Sequence, residues 1–255
     1  MSRGSMLITG AAERAGAEIA LAFAAEGYDV HINHWGQSAQ AEAVIARSLA
    51  AGHAGRMHAI EADVADPAAA ASLVAAVMAR SGRLDLLVHN ASTFRPVPFA
   101  QLTPDDVDAS FGVNLRGPLF LSQAAAKAMT ASGGGRILAI LGNSLSESWP
   151  DLVPHIVAKT ALGRLMEQLA VALSPAVSCN SVAPSQFFRS DDGVNDDLRR
   201  GRGESPVLDD FTFIKGLAVR ETSLQDVLDV LLFLAAAPAT VTGVTIRVDG
   251  GRALI

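Results

Sequence analysis

Met6-Leu7-Ile8-Thr9-Gly10-Ala11-Ala12-Glu13-Arg14-Ala15-Gly16 joins a short apolar run to a glycine turn and the start of an amphipathic stretch. Met6 to Thr9 reads as a strand, and Arg14 to Glu26 carries apolar residues at helical spacing. Gly10 directly after the strand and Gly16 at the opening of the helix let the backbone turn tightly and approach a pyrophosphate. The helix N-terminus then offers free amides and partial positive charge. Two spaced glycines serve a plain strand-to-helix turn equally well, so the rest of the chain has to discriminate.

Outward from this turn, short apolar runs alternate with longer amphipathic stretches. Asp29 to Asn33, Arg56 to Asp63, Leu84 to His89, Arg136 to Leu141, Val177 to Val182 and Val244 to Val248 read as further strands. Ala39 to Ala51, Pro67 to Ser81, Thr103 to Ala131, Val153 to Leu173 and Ser223 to Ala236 read as helices. Repeated strand and helix predict one α/β domain over residues 1–255, a doubly wound parallel sheet of about seven strands with helices on both faces. Ala65-Asp66-Pro67 and Thr103-Pro104 look like capped helix starts. Ser185 to Gly216 is polar and mixed in charge, and is predicted to be a mobile substrate loop with room for one short helix.

Composition sets the class of ligand. The chain has 255 residues, 50% of them hydrophobic, with 26 acidic against 20 basic side chains and a net charge of -6. That excludes a disordered chain and disfavours nucleic acid or an anionic membrane as partner, leaving a small molecule. Cys179 is the only cysteine, which suits a reducing compartment, by default the cytoplasm. The N-terminus lacks the basic start and apolar core of a signal peptide, and no apolar run reaches the roughly 18 residues of a membrane helix. His31, His53, His58 and His89 form no pairs with carboxylates or cysteine at metal-ligand spacing, so no metal is expected.

Other pieces follow the first turn in chain order. Asp63-Val64 follows the third strand, His89-Asn90-Ala91-Ser92 follows the fourth, and Asn114 lies in the long helix. Then come His155-Ile156-Val157-Ala158-Lys159, Asn180 to Pro184, Thr242-Gly243 and Val248-Asp249-Gly250-Gly251. Taken together the chain resembles the short-chain dehydrogenase/reductase family, which implies a single Rossmann-like domain and a nicotinamide-dependent oxidoreductase. Within it, Thr9 to Arg14 and Asn90-Ala91-Ser92-Thr93-Phe94-Arg95-Pro96 look like the pteridine reductase group. The resemblance puts Gly10, Arg14, Gly16, Asp63, Val64, Asn90, Ala91, Ser92 and Lys159 against the cofactor, with Arg14 on phosphate. Phe94 would stack on a pterin-like ring, or be an ordinary packed loop aromatic. Relatives commonly form tetramers through the helices matching Thr103 to Ala131 and Val153 to Leu173. A homo-oligomer, tetramer or dimer, is therefore expected, with Ala124, Ala125, Ala128, Leu162, Leu165 and Leu169 as candidate contacts.

Cofactor choice depends on the residues after the second strand. A carboxylate there favours NAD, whereas its absence beside Arg or hydroxyl groups suits a 2'-phosphate. His31-Ile32-Asn33-His34-Trp35-Gly36-Gln37-Ser38 carries no acid, which favours NADP(H) with Arg14, His34 and Ser38 as contacts. His34 reads equally as a solvent-facing loop residue.

The resemblance breaks where the family keeps its proton donor, a tyrosine four residues before the lysine. Lys159 and Asn114 match the family, but His155 stands in the tyrosine slot and Gly142 in that of the preceding serine or aspartate. Tyr28, the only tyrosine, lies before the second strand, so no shifted tyrosine restores the motif. A remodelled loop could bring in Ser144, or the loop could be merely polar. Residues at i and i+4 share a helix face, so His155 and Lys159 address the same place. Asp151 reads as a cap or as a contact of His155. Three functions stay open: an NADP(H)-dependent reductase of a pterin-like heterocycle or carbonyl, a silent nucleotide-binding or partner subunit, and a non-redox enzyme using His155 as base.

Overall fold

The computed structural model describes residues 3–188, 211–214 and 216–255, apart from the side chain of Ser144. Among them, seven strands form one parallel sheet: β1 (Gly4–Ile8), β2 (Tyr28–His34), β3 (Met57–Glu61), β4 (Leu86–His89), β5 (Gly135–Ile140), β6 (Val177–Pro184) and, last in the chain, β9 (Thr245–Val248). Their order is β3-β2-β1-β4-β5-β6-β9, so the winding reverses between β1 and β4. In open α/β sheets a ligand binds outside the carboxyl ends of the strands at that reversal. Thr9-Gly10 and Asn90-Ala91 emerge there.

Strand periodicity divides the core. Met6 and Ile8, Leu86 and Val88, and Leu138 and Ile140 face α1 (Arg14–Ala25), α2 (Ser38–Ala50) and α7 (Leu224–Ala236). Leu7, Leu87, Ile137, Ala139 and Cys179 face α3 (Pro67–Ser81), α5 (Gly117–Ala131) and α6 (Val153–Ala172). Alternate side chains therefore feed two apolar layers, as a sheet covered on both faces requires. Burial pushes the Cys179 thiol up to about 12, which makes it inert. No helix among the described residues is long and apolar enough to cross a membrane.

Three expectations change. The long helix over Thr103 to Ala131 is α4 (Pro104–Phe111), a π-helical turn over Gly112–Arg116, then α5. The break has a tertiary cause: a Cβ on Gly117 would stand 2.2 Å from the Val64 carbonyl oxygen, so the chain presses against the β3–α3 loop there. Second, β7 (Phe211–Ile214) pairs antiparallel with β8 (Leu217–Arg220), so a strand stands inside the Ser185 to Gly216 segment for which sequence predicted a loop with one short helix. Thr212 and Val219 bury one face of the pair, the alternation of a two-stranded ribbon. Residues 189–210 of the expected substrate loop lie outside the described residues. Third, Ala125 and Leu162 are sealed in the core and cannot meet a second subunit.

Candidate functional site

The first turn is built by close approach. Gly10 has φ +60, and a Cβ on it would lie 2.8 Å from the Ala91 Cα. Gly16 is tighter: its Cβ would fall 2.5 Å from the Gly10 carbonyl oxygen and 2.6 Å from Asn90 Nδ2. Asn90 Nδ2 donates to the Thr9 and Gly10 carbonyls, each at 2.9 Å, while the Thr9 hydroxyl accepts from the Asn90 and Ala91 amides. Asn33 joins in from β2, donating to the Ala62 carbonyl at 2.9 Å and accepting from the Gly10 amide at 3.4 Å. No side chain caps α1, so its first amides stay available. Gly16→Ala should cost roughly 1–3 kcal/mol of stability by overpacking. It should also weaken nucleotide binding at least tenfold in a calorimetric titration; unchanged affinity would show the turn to be purely structural.

Two adjoining hollows open over this turn. One, about 390 Å³, runs past Gly10, Arg14, Gly16, His34, Asp63, Val64 and Ala91. The other, about 240 Å³, is walled by Phe94, Trp149, Phe187, Phe188, His155 and Lys159. Arg14, Ala15, Asn90, Ser92 and Phe94 border both, so they form one trough. Arg14 holds φ +54, an uncommon conformation for a side-chain-bearing residue, and is exposed at the junction.

His34 is buried at the end of β2 and is not a solvent-facing loop residue. Its Nδ1 has no partner among the described residues. Ser38 is exposed at the start of α2, next to Trp35 and Gln37, which line the trough. Asp63 lines the trough but spends one carboxylate oxygen on the Ala65 amide at 2.8 Å.

At the inner end, the π-helical turn carries Asn114, fully buried. Its Oδ1 accepts from the Ser92 hydroxyl at 2.9 Å and the Thr93 amide at 3.2 Å, and its Nδ2 donates to the Thr93 carbonyl at 3.1 Å. Such turns recur at functional sites because they rotate one residue out of the regular ladder. His155 Nδ1 lies 2.9 Å from the same Thr93 carbonyl. A carbonyl only accepts, so Nδ1 carries the proton. Burial first, then the nearby Lys159 charge, push His155 down to about 4, and the ring is neutral at pH 7. Lys159 Nζ donates to the Ile140 carbonyl at 2.9 Å; burial alone lowers it to about 8.

Aromatic residues supply the remaining walls. Phe94 meets the Trp149 and His155 rings edge to face, with centroids 5.7 Å and 5.1 Å apart. The Trp149 indole donates to Glu147 at 3.0 Å, and Glu147 is paired with the Arg252 guanidinium near the C-terminus. Sequence reasoning missed Trp149, Phe187, Phe188 and Asn33. The available signal was aromatic scarcity: only 5% of residues are Phe, Trp or Tyr, yet Phe187-Phe188 directly follow the β6 exit. Asp151 gives its backbone carbonyl to the Val97 amide at 2.7 Å. Gly142 adopts φ 79, ψ -175. Among the described residues no three His, Cys, Asp or Glu side chains converge as a metal site.

A doubly wound sheet with a glycine turn, uncapped helix amides and a buried lysine at the strand reversal defines a nucleotide-binding α/β protein. Residues 5–191 match the short chain dehydrogenase family, and the chain belongs to it, as an oxidoreductase. It is 32% identical over 250 residues to the L-rhamnose 1-dehydrogenase (NAD(P)(+)) of Sphingomonas sp. strain SKA58, covering 97% of this chain and 95% of that protein. Identity to the 3-oxoacyl-[acyl-carrier-protein] reductase of Synechocystis sp. strain PCC 6803 is 30%, over 97% of this chain and 96% of that one. Among solved structures, a dehydrogenase/reductase from Sinorhizobium meliloti 1021 superposes with TM-score 0.83 at 28% identity, covering 98% of this chain and 95% of the other.

Proposed function

We propose that the chain is an NADP(H)-dependent oxidoreductase acting on a pterin-like heterocycle or another small carbonyl compound, in the pteridine-reductase manner. The observation that carries this is the trough itself, polar over the glycine turn and aromatic around Lys159 and His155. The turn suits a dinucleotide: α1 offers uncapped amides, and His34 Nδ1 is an orphaned buried atom in the same wall. When bound, the nicotinamide ring supplies or accepts the hydride.

The chain's own part is position and charge. Arg14 and the Ala15 and Gly16 amides hold the diphosphate, with Asp63, Val64, Asn90 and Ala91 along the adenosine side. Lys159, confined by its bond to the Ile140 carbonyl, grips the ribose hydroxyls. Asn114 fixes Ser92 and Thr93, and the Thr93 carbonyl in turn holds the His155 ring at the reacting end. Phe94 gives the substrate a flat apolar face. Both named relatives carry out redox chemistry at a carbon–oxygen centre by their names, which favours a carbonyl or alcohol. Near-attack positioning of this kind contributes several kcal/mol, on the order of 7 or more in favourable cases.

The β2 end, His34-Trp35-Gly36-Gln37, presents no carboxylate to an adenosine ribose, and exposed Arg14 stands beside it. NADPH is therefore expected to bind at least tenfold tighter than NADH, measured by calorimetry; equal or reversed affinity refutes NADP(H) preference. Loss of NADPH absorbance with pterins, quinones and ketones tests turnover. Binding without turnover across that panel would favour the second reading, a silent nucleotide-binding subunit, which rests on His155 and Gly142 standing at the family's donor positions. Self-association through α5 and α6 is part of the proposal, supported by exposed Leu119, Phe120 and Val157. A reducing cytoplasmic setting fits the buried, lone Cys179.

A further inference from the structure

We infer that His155 works as a fixed general base, so that the site is built to take a hydrogen-bond donor, a substrate hydroxyl, and to oxidise it. The inference rests on the NADP(H) oxidoreductase reading above and narrows it to the alcohol side, replacing reduction of a pterin-like ring or carbonyl by oxidation of a hydroxyl at that same site.

The argument begins with the ring's two nitrogens. Nδ1–H is committed to the Thr93 carbonyl at 2.9 Å. That carbonyl cannot swing away, because the Thr93 amide and carbonyl are both tied to Asn114. A histidine held through Nδ1–H to a backbone carbonyl presents a bare lone pair on Nε2. Phe94 fixes the ring plane from one side, edge to face, and the ring borders the aromatic hollow. At the place where a phenol would offer a proton, this chain offers an acceptor.

Burial first, and then the Lys159 charge, keep the ring neutral. Lys159 lies one turn along α6. Arg95, paired with Asp106 of α4 at 2.9 Å, lies with His155 around a small hollow behind the ring. Arg14 borders the substrate hollow, and Glu147 in the facing loop is engaged by Arg252. No unpaired carboxylate among the described residues adjoins the ring to stabilise imidazolium, and burial lowers its pKa to about 4.

The step balances as follows. With oxidised nicotinamide adenine dinucleotide phosphate bound as hydride acceptor, the carbinol C–H bond would break with its electron pair leaving as hydride. The O–H bond breaks with its proton passing to Nε2, the carbon–oxygen double bond forms, and imidazolium returns the proton to water. In reverse, a carbonyl would need imidazolium, which at pH 7 is about a thousandth of the enzyme for a pKa near 4. Between about pH 5 and 7.5, below the titration of Lys159, alcohol oxidation should therefore be independent of pH while reduction falls tenfold per pH unit. A donor with a pKa above 7 gives the opposite pair of slopes.

The test uses the full chain labelled with 15N, its His155 signals assigned by loss in His155→Asn. Long-range proton–nitrogen spectra from pH 4 to 9 should show Nδ1 protonated and Nε2 bare at every pH above about 5. A proton on Nε2, or imidazolium at pH 7, overturns the inference, whether or not any probe is turned over. With 1-phenylethanol and acetophenone as the probe pair, kcat/KM for oxidation should stay within twofold from pH 5.5 to 7.5 while that for reduction falls about a hundredfold. Flat reduction with rising oxidation would also overturn it. If calorimetry shows no binding of the phosphorylated dinucleotide, the oxidoreductase reading fails separately, and the nitrogen spectra still decide the tautomer.

Discussion

Replacing Lys159 by methionine is expected to lower nucleotide-dependent turnover by at least a hundredfold while leaving the melting temperature unchanged or raised. The lysine is nearly sealed from water, and among the described residues its Nζ donates to the Ile140 carbonyl. Burial depresses its pKa from 10.5 to about 8. An unfolded lysine binds its proton more tightly than the folded one, so stability is missing below about pH 8 and is regained as pH rises through 10.5. At neutral pH that deficit is about 3 kcal/mol. Methionine keeps most of the stem's packing and removes the deficit, at the cost of leaving the Ile140 carbonyl unpaired, roughly 1–3 kcal/mol. A second readout follows from the same charge. Lys159 helps depress His89 and His155, so both imidazoles should titrate higher in the variant, as NMR would show. A lower melting temperature with turnover intact would make Lys159 a structural residue.

Acid should unfold the protein well before its carboxylates titrate. His31, His89 and His155 are buried neutral, with pKa values of about 4, about 3 and about 4 against 6.5 in an unfolded chain. Between these limits the unfolded state binds more protons, so stability falls as pH drops from 6.5 toward 4. His89 is the most deeply enclosed, its Nε2 facing the Ser122 hydroxyl at 2.8 Å, with Lys159 adding repulsion. His31 stacks on His58, centroids 5.1 Å apart, and meets Ser81. Asp29 and Asp106, held low chiefly by Arg56 and Thr103, add loss in the same direction at still lower pH. Urea unfolding at pH 4.5 should show at least about 3 kcal/mol less stability than at pH 7.5. His89→Asn should flatten that dependence. Equal stability at the two pH values would mean that water reaches these rings.

Local signals carried most of the fold. The third helix was legible to the residue, Pro67 to Ser81, because Asp66 caps it and Gly82 ends it in the left-handed conformation. The glycine turn was marked by its glycines directly after a strand, whereas Asn90, Asn114, His155 and Lys159 were singled out by the resemblance to the family. What escaped depends on contacts distant in sequence. The break before Gly117 had a local mark in Gly117-Pro118 that went unused, and the close approach of the Val64 carbonyl there lies far off in sequence. His34 was open between a loop and a phosphate contact in the sequence, and its burial follows from β2 running on through it. Trp149 is recruited through Glu147 by Arg252, more than a hundred positions later. Phe187 and Phe188 reach the trough only because β6 ends beside it.

The backbone at Gly142 also limits what redesign of this corner can do. An extended ψ combined with a positive φ is a region that side-chain-bearing residues occupy only at a penalty of about 1–3 kcal/mol. Grafting a phenol at 155 and a hydroxyl at 142 would therefore set the second group on backbone that disfavours any side chain, and the pair of substitutions is expected to lose stability unless the corner is rebuilt with it.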